Sequence, residues 1–195
     1  MRNQLADRAL TLTELDERDE TFQVLLEARE QGITRFVGVT GHDLTSPRTH
    51  LEALKRYDLD TVMFPVYPRV WSDPEYREDA EALIRECQVR DVGVMVIKAV
   101  ARRPWGDQEV DTSTWYEPVR TEEAVERGVR FALSVPGVAA FCTPSSRDIL
   151  PLAVEAAARH RSMDEAEMSR AMNEMAEESL IFPLRERAVS FIQRG

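Results

Sequence analysis

Long apolar runs, clustered cysteines and a surplus of basic residues are all missing from this chain, and each absence removes a class of function. No apolar stretch approaches the roughly eighteen residues that a membrane span requires. The first residues, Met1 to Arg8, contain no apolar core of a signal peptide. A cytoplasmic protein with no membrane partner is therefore expected. Cys87 and Cys142 lie far apart in the chain, and neither belongs to a CxxC or Cys/His cluster. Both read as reduced, buried thiols rather than a disulfide or a metal site. Asp91, Glu109 and Asp111 lack metal-ligand spacing, so no metal is expected. The net charge of −10 leaves no basic face for nucleic acid or an anionic membrane. A small anionic ligand stays open, because a few backbone N–H groups and one cation can hold a phosphate.

What is present suits a single globular domain over 1–195, with 43% hydrophobic and 31% charged residues. Phe22, Leu25, Leu26 and Arg29 recur at helical spacing from Asp19 to Gln31, and Gly32 follows as a C-terminal stop. Thr34 to Thr40 is a short β-rich run. Ser46-Pro47 reads as the N-cap and first residue of a helix with Leu51, Leu54 and Tyr57 inward. Leu59 to Val66 is a second strand, closed by Tyr67-Pro68. A helix from Asp73-Pro74 to about Arg90 turns Ala80, Leu83, Ile84 and Cys87 inward. Val92 to Ile97 is the third strand. The polar loop of about twenty residues after it, Ala101 to Arg120, is long for its place and points to function or mobility. Thr121 caps a helix to Leu133, Val138 to Thr143 is the fourth strand, and a helix covers Arg147 to His160. Ser162-x-x-Glu165 reads as a capping box opening a long helix that ends near Pro183, with 184–195 a loose tail.

Four strand–helix units in succession predict an α/β fold with a parallel sheet and right-handed crossovers. An open sheet and half of an eight-stranded barrel share that pattern. In both, ligands gather at the C-terminal ends of the strands. His42, near neutral in its ordinary pKa, stands there either as a ligand contact or as a loop residue. Lys98 ends an apolar strand, so it should reach solvent, a carboxylate or a ligand phosphate. Ser145-Ser146-Arg147 leads into a helix whose N-terminal N–H groups suit an anion, or is simply its cap. Arg102-Arg103-Pro104-Trp105 reads as a solvated loop, with a clamp on substrate or pyrophosphate as the alternative. Tyr67, Trp115 and Tyr116 read as packing residues.

Gly32 to His42, ending Gly38-Val39-Thr40-Gly41-His42, resembles the fifth strand of an aldo/keto reductase of the subgroup reading GVTGH. Val94 to Arg103 is similar to that subgroup's seventh strand, and Phe131 to Pro144 to the eighth strand and the helix before it. The resemblance spans roughly Leu12 to Pro183. It implies the C-terminal half of a (β/α)8 TIM barrel, with four parallel strands, their helices and a C-terminal helix. It implies NADP(H) as cofactor and an aldehyde or ketone as substrate. The family's catalytic Tyr, Asp, Lys and His lie on the first four units, so no catalytic residue is carried over.

By resemblance the cofactor-binding positions are Thr40, Gly41, His42, Phe64, Ile97, Lys98, Ser145, Ser146 and Arg147. Gly41 and Phe64 replace side-chain amides at the nicotinamide, and Ile97 stands where an aromatic ring often stacks. Arg147 is the nearby cation for a 2′-phosphate, and Glu155 takes the place of an Asn near the adenine. These departures imply weak binding and leave NADP versus NAD open. Such a half would be inactive alone and would expose two strand edges, favouring a homodimer or a complementing N-terminal half. A non-catalytic nucleotide-binding or interaction module and a truncated gene product are the competing readings.

Overall fold

The computed structural model describes residues 19–182; the tail expected over 184–195 lies outside them. Helix α1 (Asp19–Glu30) begins with Asp19 and Glu20 and ends with Arg29, charges that complement its dipole. Phe22 stacks on Tyr57 with ring centres 4.1 Å apart, and the Tyr57 hydroxyl donates to Asp19 at 2.7 Å. Gly32 follows at φ +73°, the left-handed stop expected of it.

Strand β1 (Gly38–Thr40) leads to α2 (Ser46–Arg56), then β2 (Thr61–Pro65), the short α3 (Pro68–Trp71) and α4 (Pro74–Arg90). Strand β3 (Gly93–Ile97) is followed by a two-stranded antiparallel ribbon, β4 (Ala101–Arg103) with β5 (Glu117–Pro118). Helix α5 (Glu122–Ser134), strand β6 (Val138–Phe141), α6 (Ile149–Ala158) and α7 (Glu165–Met175) complete the described chain. The main sheet runs β1-β2-β3-β6, parallel throughout.

Register divides the sheet into two faces of different character. Val62, Phe64, Val94 and Val96 are fully buried beneath the helices. Thr40, Met63, Met95 and Ala140 align across the other face, which stays partly or fully exposed. One layer below, Thr61 sits between Gly38 and Gly93, and a Cβ on Gly38 would lie 2.0 Å from the Thr61 hydroxyl. This is the inward layering of a barrel wall with one side open.

Several expected details shift. Ser46 lies inside α2 rather than capping it; Thr45 is the cap, and Asp43 accepts from the Thr45 amide and both neighbouring hydroxyls. The capping box forms at Asp164 and Glu167, two residues beyond the expected pair, because Asp164 adopts the extended cap conformation. Helix α7 stops at Met175, short of Pro183, and 176–182 folds back as irregular chain. Cys87 is buried, but Cys142 is exposed on the open face, its Sγ 3.3 Å from the Met63 Sδ.

Helix α5 crosses the end of β3 at Gly128, where a Cβ would meet the Ala99 carbonyl oxygen at 2.2 Å. That oxygen is backbone and cannot rotate away. Gly128→Ala should therefore cost about 1–3 kcal/mol by overpacking, although alanine is the better helix former by about 1 kcal/mol. A urea midpoint equal to or above wild type would contradict this close approach.

Candidate functional site

The parallel ladder continues one residue past β1, β2 and β6 and so aligns the strand ends on one rim. Gly41 N–H donates to Met63, Val66 N–H to Ile97, and Cys142 N–H to Val96, at 2.8–3.0 Å. Thr40 is exposed, Gly41 and His42 half-buried, and Ile97 buried. Phe64 is fully buried on the helix side and offers no surface to a ligand at the rim. Its neighbours two registers away, Val62 and Val94, show the same apolar face, which explains an aromatic at this position.

Lys98 follows β3 at φ +73°, an uncommon backbone conformation for a residue with a Cβ. Its Nζ lies 4.3 Å from the Trp115 ring centre and 5.1 Å from that of Tyr116. Of the expected partners, no described carboxylate pairs with it; half-buried, it lies against two aromatic faces. Loss of hydration lowers its pKa to about 8. Tyr116 is buried as packing, with burial pushing its phenol up to about 12, whereas Trp115 is 50% exposed and walls the lysine.

The ribbon loop carries the rim across to β6. Trp105 is buried, and its indole N–H donates to the Thr114 carbonyl at 2.9 Å. The Ser113 hydroxyl donates to the Ser145 carbonyl at 2.8 Å. Ser145 and Arg147 are exposed and Ser146 is buried, its carbonyl accepting from Leu150 at the start of α6. Arg147 makes no ion pair with a described residue. Asp148 occupies the cap of α6, so a carboxylate already stands at the end of the helix that an anion would use. Glu155 is exposed and lies 3.5 Å from Arg159.

Arg102 and Arg103 are not a solvated loop. Arg102 donates to Glu117 and Glu178 at 3.1 and 2.7 Å, and Arg103 to Glu117 at 2.6 Å. The Arg69 guanidinium donates to the Glu178 carbonyl at 2.5 Å. These contacts pin the segment after α7 to the rim, where Phe182 lies 5.8 Å from Trp115. Sequence reading missed Glu117 and Glu178, which have no local pattern that links them to the arginines. A groove of about 310 Å³ between α5 and α7 lies elsewhere. Two of its arginines, Arg127 and Arg130, already pair with Glu174 and Glu167, and the rest of its charged lining is Arg170, Glu123 and Glu126.

His50 is a further residue that the sequence did not signal. It is fully buried under β1, and a Cβ on Gly41 would stand 2.9 Å from its Nε2. That Cβ would come closer still to Ser46, at 2.4 Å from its Oγ and 2.7 Å from its Cβ, so glycine at 41 makes room for Ser46 first and for the ring second. Neither ring nitrogen has a partner in good hydrogen-bond geometry; the Thr40 carbonyl favours the protonated ring only in part. Burial dominates and lowers its pKa to about 4. His42 is lowered too, first by burial and then by Lys98, with Asp43 opposing.

His50 gives a pH signature with a definite sign. The unfolded ring protonates near 6.5 and the folded ring near 4, so between these values the unfolded state binds more protons. The contribution is fully present above about pH 6.5 and is lost on acidification, by roughly 3 kcal/mol in all. Urea midpoints from pH 7.5 to 4.5 should fall more steeply for wild type than for His50→Leu. Parallel curves would remove the assignment.

No protein-family model matches the chain, and no curated protein matches it in sequence. Among solved structures, an aldo-keto reductase from Bacillus halodurans matches in its holo form at TM-score 0.53 and in its apo form at 0.54, each with 19% identity over 87% of this chain. The aldose reductase of Giardia lamblia matches at TM-score 0.54 with 10% identity over 83% of this chain. The matches take in 59%, 60% and 52% of those chains, so this chain spans a little over half of each. The described residues have the fold of part of an aldo-keto reductase barrel, four consecutive parallel strands with their covering helices.

Proposed function

We propose that the rim is the cofactor side of an NADP(H)-dependent aldo/keto reductase-type oxidoreductase acting on aldehydes or ketones. The observation that supports this best is the gathering of Arg147, without an ion pair among the described residues, the Ser145-Ser146 loop, His42 and Lys98 along one line of parallel strand ends. In this reading Arg147 meets the 2′-phosphate, Ser145 and Ser146 meet it through hydroxyl and N–H groups, and Thr40 to His42 border the nicotinamide. The bound dinucleotide supplies a hydride. The chain's own part is to orient the cofactor, with Ile97 as an apolar floor and Trp115 as a wall that excludes water. None of the described rim residues is assigned as the general acid. Carbonyl reduction then requires a complementary set of strands along the β1 and β6 edges, which no described strand pairs, from an N-terminal half or a second copy.

Binding should be weak, with Kd on the order of tens to hundreds of micromolar, because Gly41 has no amide, Phe64 is buried and Asp148 opposes an anion. A charged hydrogen bond to phosphate is worth roughly 1.5–3 kcal/mol. Arg147→Ala should therefore weaken NADPH binding by about tenfold or more in calorimetric titration. Equal affinities would remove Arg147 from the site, and no binding to either protein would remove the cofactor reading.

A further inference from the structure

We propose that Lys98 is an amine nucleophile that captures a small aldehyde as an imine at the rim. The inference goes beyond the dinucleotide reading and stands without it. Of the 25 lysines and arginines in the chain, only Lys55 and Lys98 are lysines. Guanidinium does not form such an adduct, so the chemistry of a primary side-chain amine is confined to two places. Lys55 is solvated and paired with Glu52 at 2.6 Å. Lys98 is less accessible than Lys55 but differs in its desolvation and in having no carboxylate partner among the described residues.

Its backbone is held in the left-handed region at the end of β3, where the ladder and the Ala101 N–H bond to the Lys98 carbonyl constrain it. Its Nζ lies over Trp115 and Tyr116 and has no carboxylate partner among the described residues. Aromatic faces favour the ammonium, but they replace less stabilisation than the lost water gave. A lysine desolvated in this way is the activated form of the nucleophile. The lowered pKa of about 8 is consistent with that geometry. Trp115, itself half exposed, offers an apolar surface for the body of the aldehyde. His42 stands on the same rim with a lowered pKa, so its ring is neutral at pH 7.5 and can accept and return a proton.

The step balances without an added oxidant or reductant. The Nζ lone pair attacks the carbonyl carbon, and the carbonyl π pair moves to oxygen, which is protonated. The nitrogen loses its two protons, one as the carbinolamine forms and one as it dehydrates. These balance the two that the oxygen gains, the first making the hydroxyl and the second letting it leave as water. The C–O bond breaks, water leaves with the carbonyl oxygen, and the C=N bond takes its place.

The full chain is incubated with benzaldehyde and sodium cyanoborohydride at pH 7.5, and the reduced adduct is located by peptide mass spectrometry. Lys98 should label at least about tenfold faster than Lys55, since a far larger fraction of its amine is neutral at that pH. The N-terminal amine is scored separately on its own peptide. Trp115→Ala, at a half-exposed position, should return water to Lys98 and lower that preference several-fold. Lys98→Arg should abolish the label on that peptide while Lys55 labels as before. Equal labelling of the two lysines, or a preference unchanged in Trp115→Ala, would overturn the proposal. Lack of NADPH binding would leave it untouched, and NADPH binding without selective labelling would overturn it alone.

Discussion

Val62, Phe64, Val94 and Val96 are withdrawn entirely from water, and the parallel register that places them on one face places every strand end on one rim. Alternation along a strand is strict, so burying this face against the helices turns Thr40, Met63, Met95 and Ala140 to the other. Burial of apolar area supplies the driving force. The backbone ladder converts it into the position of Gly41, Val66, Lys98 and Cys142. Small residues at Gly38 and Gly93 then make room for Thr61, and Gly128 lets α5 approach the end of β3.

The rim is held by a second set of interactions that are mainly ionic. Glu117 and Glu178 neutralise Arg102 and Arg103, with Arg69 binding the carbonyl of Glu178. Two guanidiniums beside one another would repel, and the pair of carboxylates between them removes that cost while joining the ribbon to the returning segment 176–182. The result places Trp115 beside Phe182 on one side and over Lys98 on the other. The long loop after β3 is consequently an ordered ribbon that sets Trp115 over Lys98. Under β1, Gly41 likewise makes room for the Ser46 side chain and the His50 ring.

Much of the fold was legible in local pattern. The inward face of α4, with Ala80, Leu83, Ile84 and Cys87, followed from helical spacing, and Thr121 and Gly32 behaved as the cap and stop that they resemble. The candidate site was legible only in outline. Ser145 and Arg147 are exposed on the rim, but Phe64, assigned to the cofactor by position, faces the core. A period-two argument cannot tell which of two apolar faces a strand will bury when both neighbours are apolar.

The sequence by itself determined the strand–helix rhythm, the helix termini and the presence of a lysine at the end of an apolar strand. These depend on interactions within a turn or two of chain, which residue type and spacing encode directly. Tertiary structure alone decided what Lys98 touches, where Glu117 and Glu178 find their arginines, and that His50 is buried without a good partner. Those outcomes depend on where distant segments land. Desolvation and Coulomb energy depend on distance and burial in space, and spacing along the chain carries neither.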